Sequence, residues 1–399
     1  MSRQIDIFGE GASPLIITDR PVVAVTPQVE AMLARNAVVA IGVSGGKDSD
    51  ACAIATSEHL DSIGHTGPRL LIHADLGSVE WRQSQEKCQI LADTLGWDLV
   101  TVRRAAGGMM ERWGTRWENN VARYNSLSCV KLILPWSTPS MRFCTSELKS
   151  AVIASYLKKR FKGQEIINVT GIRRQESAGR RLAAIAKEDP RLAQKGISSV
   201  TWNSIIEWDI DQVKAAVARR GIKLHEAYIR YGMTRVSCVF CIMSSMPDLI
   251  ASTTCHDNHD VYRSMVWLEA TSTFAFQSKK WLGDVAPHLL DNELTDRLAL
   301  AKQACEIREA AEARIPVELE YQKGWPIRRP TLNEAMIIAD VRLTVARAVG
   351  LDAGFLDHYS VLDRYDELLA LKAASTSAKP IQLPANQVTA ASAQPLLFV

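Results

Sequence analysis

The chain has 399 residues, 47% of them hydrophobic and 23% charged, with a formal net charge of +3. That length holds a large core and two or three units of usual domain size, and the composition is that of a globular protein rather than a disordered or fibrous one. No apolar stretch approaches the roughly 18 residues of a membrane span, and the near-neutral charge excludes a strongly basic surface overall while leaving room for a local basic face.

In chain order, the valine-rich run at 37–43 reads as a strand buried on both faces of a parallel sheet. It ends in SGGKDS, residues 44–49, a turn into a helix that begins near Lys47 and runs to about residue 60. RLLIHAD at 69–75 reads as a second strand, SVEWRQSQEKCQILADTLG after it as a helix, and DLVTVRR at 98–104 as a third strand. Residues 105–145 are irregular, with glycines and three tryptophans, and read as an insertion or lid. A helix follows within 146–162, then the strand EIINVTGI at 165–172. Alternating strands and helices imply a doubly wound, mostly parallel α/β sheet with ligands at the carboxyl ends of the strands. Past about residue 245 only helices are expected, at 258–271, 291–313, 331–349 and 355–373, with Gly350 stopping one of them. The expected organisation is an N-terminal segment (1–35), an α/β domain (36–245), a helical region (246–373) and a disordered tail (374–399).

The turn at 44–49 has the ingredients of a phosphate cradle. Gly45 and Gly46 let the backbone approach a ligand closely, and free N–H groups at a helix start attract an anion. No glycine stands five residues before Gly46, so the common mononucleotide spacing is not met; a plain tight connection is the competing reading.

Five further motifs follow in order: HADLGSVEW at 73–81, MRFCTSELK at 141–149, VTGIRRQES at 169–177, NSIIEWDIDQV at 203–213 and RVSCVFCIM at 235–243. With SGGKDS they resemble the PP-loop of the N-type ATP pyrophosphatases and, within these, the PAPS reductase-like family, over about residues 36–290. The resemblance implies a Rossmann-like fold and an adenine nucleotide, ATP or the sulfonucleotides APS and PAPS, bound with its phosphates on Ser44, Gly45, Gly46, Lys47, Asp48 and Ser49. Lys47 would neutralise the leaving pyrophosphate. Asp48 would hold Mg²⁺ or serve as a helix-start carboxylate, and Asp75 carries the same two readings. Gly171 would permit close approach and Arg173 would grip phosphate or sulfate with its fork, while Arg142 and Lys149 form a second cationic pair. Arg174, Arg180 and Arg181 read as surface charges or contacts to a larger acidic substrate.

Eight cysteines in a long chain without a recognisable secretory signal suggest thiols or metal ligands, in a cytoplasmic protein. Cys238 and Cys241 are spaced to share one metal or to pair as a redox dithiol, and Cys144 and Cys255 are the best further donors, with His256 or His259 as substitutes. Iron–sulfur members of the resembled family place cysteines at similar motifs, which implies a [4Fe–4S] cluster; zinc and bare thiols stay open. Phe143 stands where assimilatory APS reductases have the first of two adjacent cysteines, and no ECGIH-type segment is present. The expected activity is therefore cleavage of ATP at the α–β bond to adenylylate an acceptor, in sulfur transfer or nucleic-acid modification. The acceptor would be a nucleic acid or a sulfur-carrier protein, with no membrane partner. A sulfonucleotide reductase using Cys255, and a nucleotide-sensing or nucleic-acid-binding regulator without turnover, are the alternatives.

Overall fold

The computed structural model describes residues 21–377. At its centre is a six-stranded sheet of order β3-β2-β1-β4-β6-β5, formed by β1 (Val38–Val43), β2 (Arg69–Asp75), β3 (Asp98–Arg103), β4 (Ile166–Val169), β5 (Ala186–Glu188) and β6 (Ser199–Trp202). All neighbours pair in parallel except β5, which runs antiparallel along β6 at the edge. The fold is α/β, Rossmann-like, and doubly wound.

Burial shows why both faces are covered. Along β1, Val39, Ile41 and Val43 point into one core with Leu71, Ile167 and Val169, closed by helix α2 (Lys47–Ser62) and the helix Ile210–Arg219. The alternate residues Val38 and Ala40 join Leu70, Ile72 and Ile166 in a second core, closed by Ala154, Leu157 and Phe161 from the helix Ala151–Arg160 and its end. A strand apolar on both faces belongs inside such a sandwich. Because β1 lies between β2 and β4, the loops after these three strands open on the same edge.

The elements expected at 37–43, 69–75 and 98–104 appear as β1, β2 and β3 within one residue at each end. Residues 105–145 are corrected. The helix Met109–Asn125 occupies much of this stretch, with Trp113, Trp117, Asn120 and Tyr124 buried at helical spacing. Gly114 inside the helix and the absence of a flanking stop obscure that stripe. The short strands β5 and β6 and the helices Ile210–Arg219 and Met246–Thr253 were not anticipated, because strands of three and four residues carry almost no periodic signal.

The chain divides into two compact units: the described parts of Met1–Asn120 with Ile133–Cys305, and of Val121–Leu132 with Glu306–Val399. The division falls after Cys305, whereas the sequence boundary was drawn at 245, because the helices Met246–Thr253 and His259–Ser272 cluster with the sheet unit. In the second unit Leu332–Val349 packs against His358–Ser377. A Thr331 capping box starts the first of these helices and Gly350, at φ 75°, ends it. Arg342, fully buried, donates to the carbonyls of Asn125 and Gly354 at 3.2 and 2.6 Å. The last helix reaches Ser377, past the expected boundary at 373; the rest of the tail, and residues 1–20, lie outside the described residues. Among the described residues no helix is long and apolar enough to cross a membrane.

Candidate functional site

Residues 44–49 turn from β1 into α2 with Gly46 as the residue before the helix, where it offers no side-chain cap. The first N–H groups of α2 are thereby left for a ligand. Gly45 takes φ 72°, and a side chain there would meet Ser84 O at 3.1 Å and Lys87 Cβ at 3.2 Å, so glycine is required by both backbone and space. Ser49 Oγ donates to Gly46 O at 2.8 Å and receives Ser44 N–H at 3.3 Å, which braces the loop from inside.

Above the loop is a cavity of about 930 Å³. Ser44, Gly46, Lys47, Asp48 and Ser49 form its floor, and Arg142, Lys149, Gly171 and Arg173 stand around it. Arg173 Nε donates to Asp48 Oδ1 at 2.7 Å, and Lys47 Nζ lies 3.3 Å from Asp48 Oδ2. Asp48 thus holds two cations in place with its two oxygens. Lys47 Nζ also donates to Thr234 O at 3.3 Å and sits 4.7 Å from the centre of the Tyr228 ring. Gly171 serves the close approach expected of it, but toward the loop: a Cβ there would stand 2.6 Å from Asp48 O. Lys149 rides on a π-helical turn, Ser146–Ser150, that leads into the helix Ala151–Arg160; such turns widen a helix and re-aim its side chains.

Asp75 is corrected. It is absent from the residues that line the cavity, although its neighbour Ala74 is present. Its Oδ1 accepts the Gly77 N–H at 2.7 Å and its Oδ2 lies 3.3 Å from Arg103 Nε, so it closes the turn after β2. Of the arginines read as surface charges or as contacts to a larger acidic substrate, Arg180 lines the cavity and pairs with Glu176, while Arg174 is absent from the lining and pairs with Glu207.

Several lining residues were not foreseen from sequence: His73, Glu80, Lys214, Tyr228, Thr234 and Arg235. The most informative is His73, almost fully buried at the end of β2. Its Nε2 lies 3.0 Å from Glu80 Oε2 and its Nδ1 3.0 Å from Val43 O, two acceptors that only the doubly protonated ring satisfies. Burial alone would lower its pKa, but hydrogen bonds to Cys88 and Glu80 and the charge of Glu80 outweigh it and raise the pKa. The signal was present in HADLGSVE as a histidine seven residues before a glutamate. Asp50, one turn into α2, is buried with Oδ2 unpartnered, and burial raises its pKa to about 7.

The cysteines do not form the expected centre. Among the described residues no group of three or more His, Cys, Asp or Glu lies where it could hold a metal ion. Cys238 has Cys241, Cys144, Lys149 and Glu80 around it, and burial pushes its thiol up to about 12. Cys255 is a neighbour of Tyr231, whose hydroxyl pKa it raises. His259 Nε2 lies 2.9 Å from Thr253 O, and its ring faces that of His256. The four cysteines expected to hold a [4Fe–4S] cluster or zinc, Cys144, Cys238, Cys241 and Cys255, are not gathered into one group among the described residues. The C-x-x-C spacing guarantees only two neighbouring thiols, and the position of Cys255 is set by the end of the helix Met246–Thr253.

Comparison with known proteins gives little beyond the geometry. No family model matches the chain, and no curated protein matches it. Among solved structures the chain is similar to phosphoadenylyl-sulfate (PAPS) reductase from Candida auris in a phosphate complex, at 15% identity and a TM-score of 0.32, over 50% of this chain and 80% of that one.

Proposed function

We propose that this chain is a nucleotide-utilising enzyme of the PP-loop kind that binds ATP and cleaves it between the α and β phosphates, transferring the adenylyl group to an acceptor in sulfur transfer or nucleic-acid modification. One observation carries the reading: an uncapped helix start, Lys47 and Arg173 converge on the floor of one large cavity, with Asp48 fixing both cations. This arrangement suits a triphosphate, whose charge must be neutralised as it redistributes toward the leaving group. The acceptor oxygen forms a bond to the α phosphorus, the α–β bridging bond breaks, and its electron pair leaves with pyrophosphate. The acceptor's proton passes to solvent or to a carboxylate at the cavity. Glu80, turned to the cavity and held by His73, is the group placed for that role.

Mg²⁺ enters as part of the substrate, bound to the triphosphate. Asp48, with both oxygens already paired to cations, is assigned to position Lys47 and Arg173. The test is pyrophosphate release from ATP, compared with sulfite release from APS and PAPS. Pyrophosphate from ATP supports the reading. Sulfite from either sulfonucleotide replaces it with a reductase, and binding without turnover replaces it with a regulator.

A further inference from the structure

The nucleotide cavity does not end at the loop. A second chamber of about 350 Å³ shares Gly42, Lys149, Ile153, Thr170 and Ile172 with it. That chamber shares Ala154 and Arg191 with a third hollow, an open groove of about 560 Å³ along the helix Ala151–Arg160. The three hollows are therefore neighbours in a row, from the surface groove to the loop at 44–49.

The charge along the outer groove is one-sided. Lys158, Lys159, Lys162 and Arg191 line the groove and no carboxylate does. Among the described residues no ion pair engages Lys158, Lys159 or Lys162, and none of the three carries any further partner. Lys187 and Lys149 continue the line into the chamber, where the one carboxylate, Asp189, is held by Arg191 at 3.1 Å and by Thr201 at 2.9 Å. Cations in the last turn of a helix also complement its dipole, by about 0.3–1 kcal/mol. That accounts for Lys158 and Lys159 but not for Lys162, Lys187 and Arg191, which lie off the helix.

The chamber's lining is different. Asn168, Thr170, Thr201 and Asn203 bring amides and hydroxyls to it. Asn203 is committed to Thr170 and, at 2.8 Å, to Ala184 O, whereas the Asn168 side-chain amide has no protein partner among the described residues. A free amide offers one donor and one acceptor edge, the pattern that reads a nucleobase. A pocket of this size has room for an unstacked base.

We infer that the acceptor is a single-stranded nucleic acid, its phosphates following Lys158, Lys159, Lys162 and Arg191 and one unstacked nucleotide entering the chamber beside the nucleotide phosphates. This names the acceptor class for the function proposed above and rests on that reading. A sequence-tolerant basic groove suits single strands, which follow cations with their backbone. An acidic peptide would meet the same lysines, but it would bring no base edge to Asn168.

The test is fluorescence anisotropy with fluorescein-labelled oligo(dT) and oligo(U) of about 20 nucleotides, over a range of salt, beside calorimetry with ATP. Wild type is expected to bind the single strands more tightly than a duplex of the same length. Lys158→Glu/Lys159→Glu/Lys162→Glu should weaken strand binding by at least roughly tenfold and reduce the salt slope by about 2, at about 0.7 per phosphate contact. The Gln triple variant, milder on folding, should move in the same direction, and ATP affinity should be unchanged in both. Failure of wild type to bind either strand, equal binding by the Gln and Glu variants and wild type, or preference for labelled polyglutamate over both strands overturns the inference. Loss of ATP binding or turnover with strand binding intact counts against the proposed reaction instead, so the two failures are separable.

Discussion

Arg173 and Asp48 lie 125 residues apart in the chain, yet Arg173 Nε donates to Asp48 Oδ1 at 2.7 Å, with Arg173 only 5% exposed. The loop after β4 and the loop after β1 are thereby tied together at the point where phosphates would sit. Arg173→Lys keeps the charge but loses the planar fork. We expect ATP affinity to fall roughly tenfold and stability by about 1.5–3 kcal/mol, the usual value of a hydrogen bond to a charged group. Calorimetry and urea denaturation measure both, and wild-type affinity in the lysine variant would place Arg173 outside the phosphate site.

Lys47 separates binding from folding. Its ammonium group touches Asp48, Thr234 O and the Tyr228 ring, all at the edge of the cavity. Lys47→Ala should reduce ATP affinity at least roughly tenfold while changing stability by about 1 kcal/mol or less. Unchanged titration heats would remove Lys47 from the nucleotide site.

Gly171 tests the spacing of the two loops. The added methyl of Gly171→Ala would press on Asp48 O at 2.6 Å and on Asp48 C and Cys52 Cβ at 3.0 Å, and the first two are backbone atoms that cannot rotate away. Overpacking of this kind costs about 1–3 kcal/mol. The variant should lose stability and ATP affinity together; a drop in stability with full affinity would show that the loops tolerate separation.

Asp50 makes a pH-dependent prediction. Its carboxyl is buried, Oδ2 has no partner, and burial raises its pKa to about 7 from the ordinary 3.8, against the favourable charge of Lys87. A group whose folded pKa is raised contributes stability fully below its unfolded value and loses it as pH climbs through the folded one. Wild type should therefore weaken between about pH 4 and about pH 7 relative to Asp50→Asn, which has no proton to lose. Denaturation midpoints measured across that range should diverge, and parallel curves for the two proteins would refute the assignment.

The sequence by itself determined the elements whose signal is local. Val38–Val43 and Arg69–Asp75 are apolar runs of strand length, and the helices Asn292–Glu312 and Leu332–Val349 have long periodic patterns and, in the second case, a glycine stop. SGGKDS was legible as a turn from strand to helix, because two glycines end the apolar run and a helix-forming pattern follows them. Tertiary structure decided everything that depends on which strands are neighbours. Placing β4 beside β1 brings Arg173 to Asp48 and Gly171 onto the loop, while placing β2 on the other side brings His73 and Glu80 to the same cavity. The same order leaves Asp75 turned to Arg103, and the end of the helix Met246–Thr253 leaves Cys255 with Tyr231. No spacing along the chain encodes these outcomes, because side-chain convergence across a sheet is set by strand order and register rather than by local periodicity.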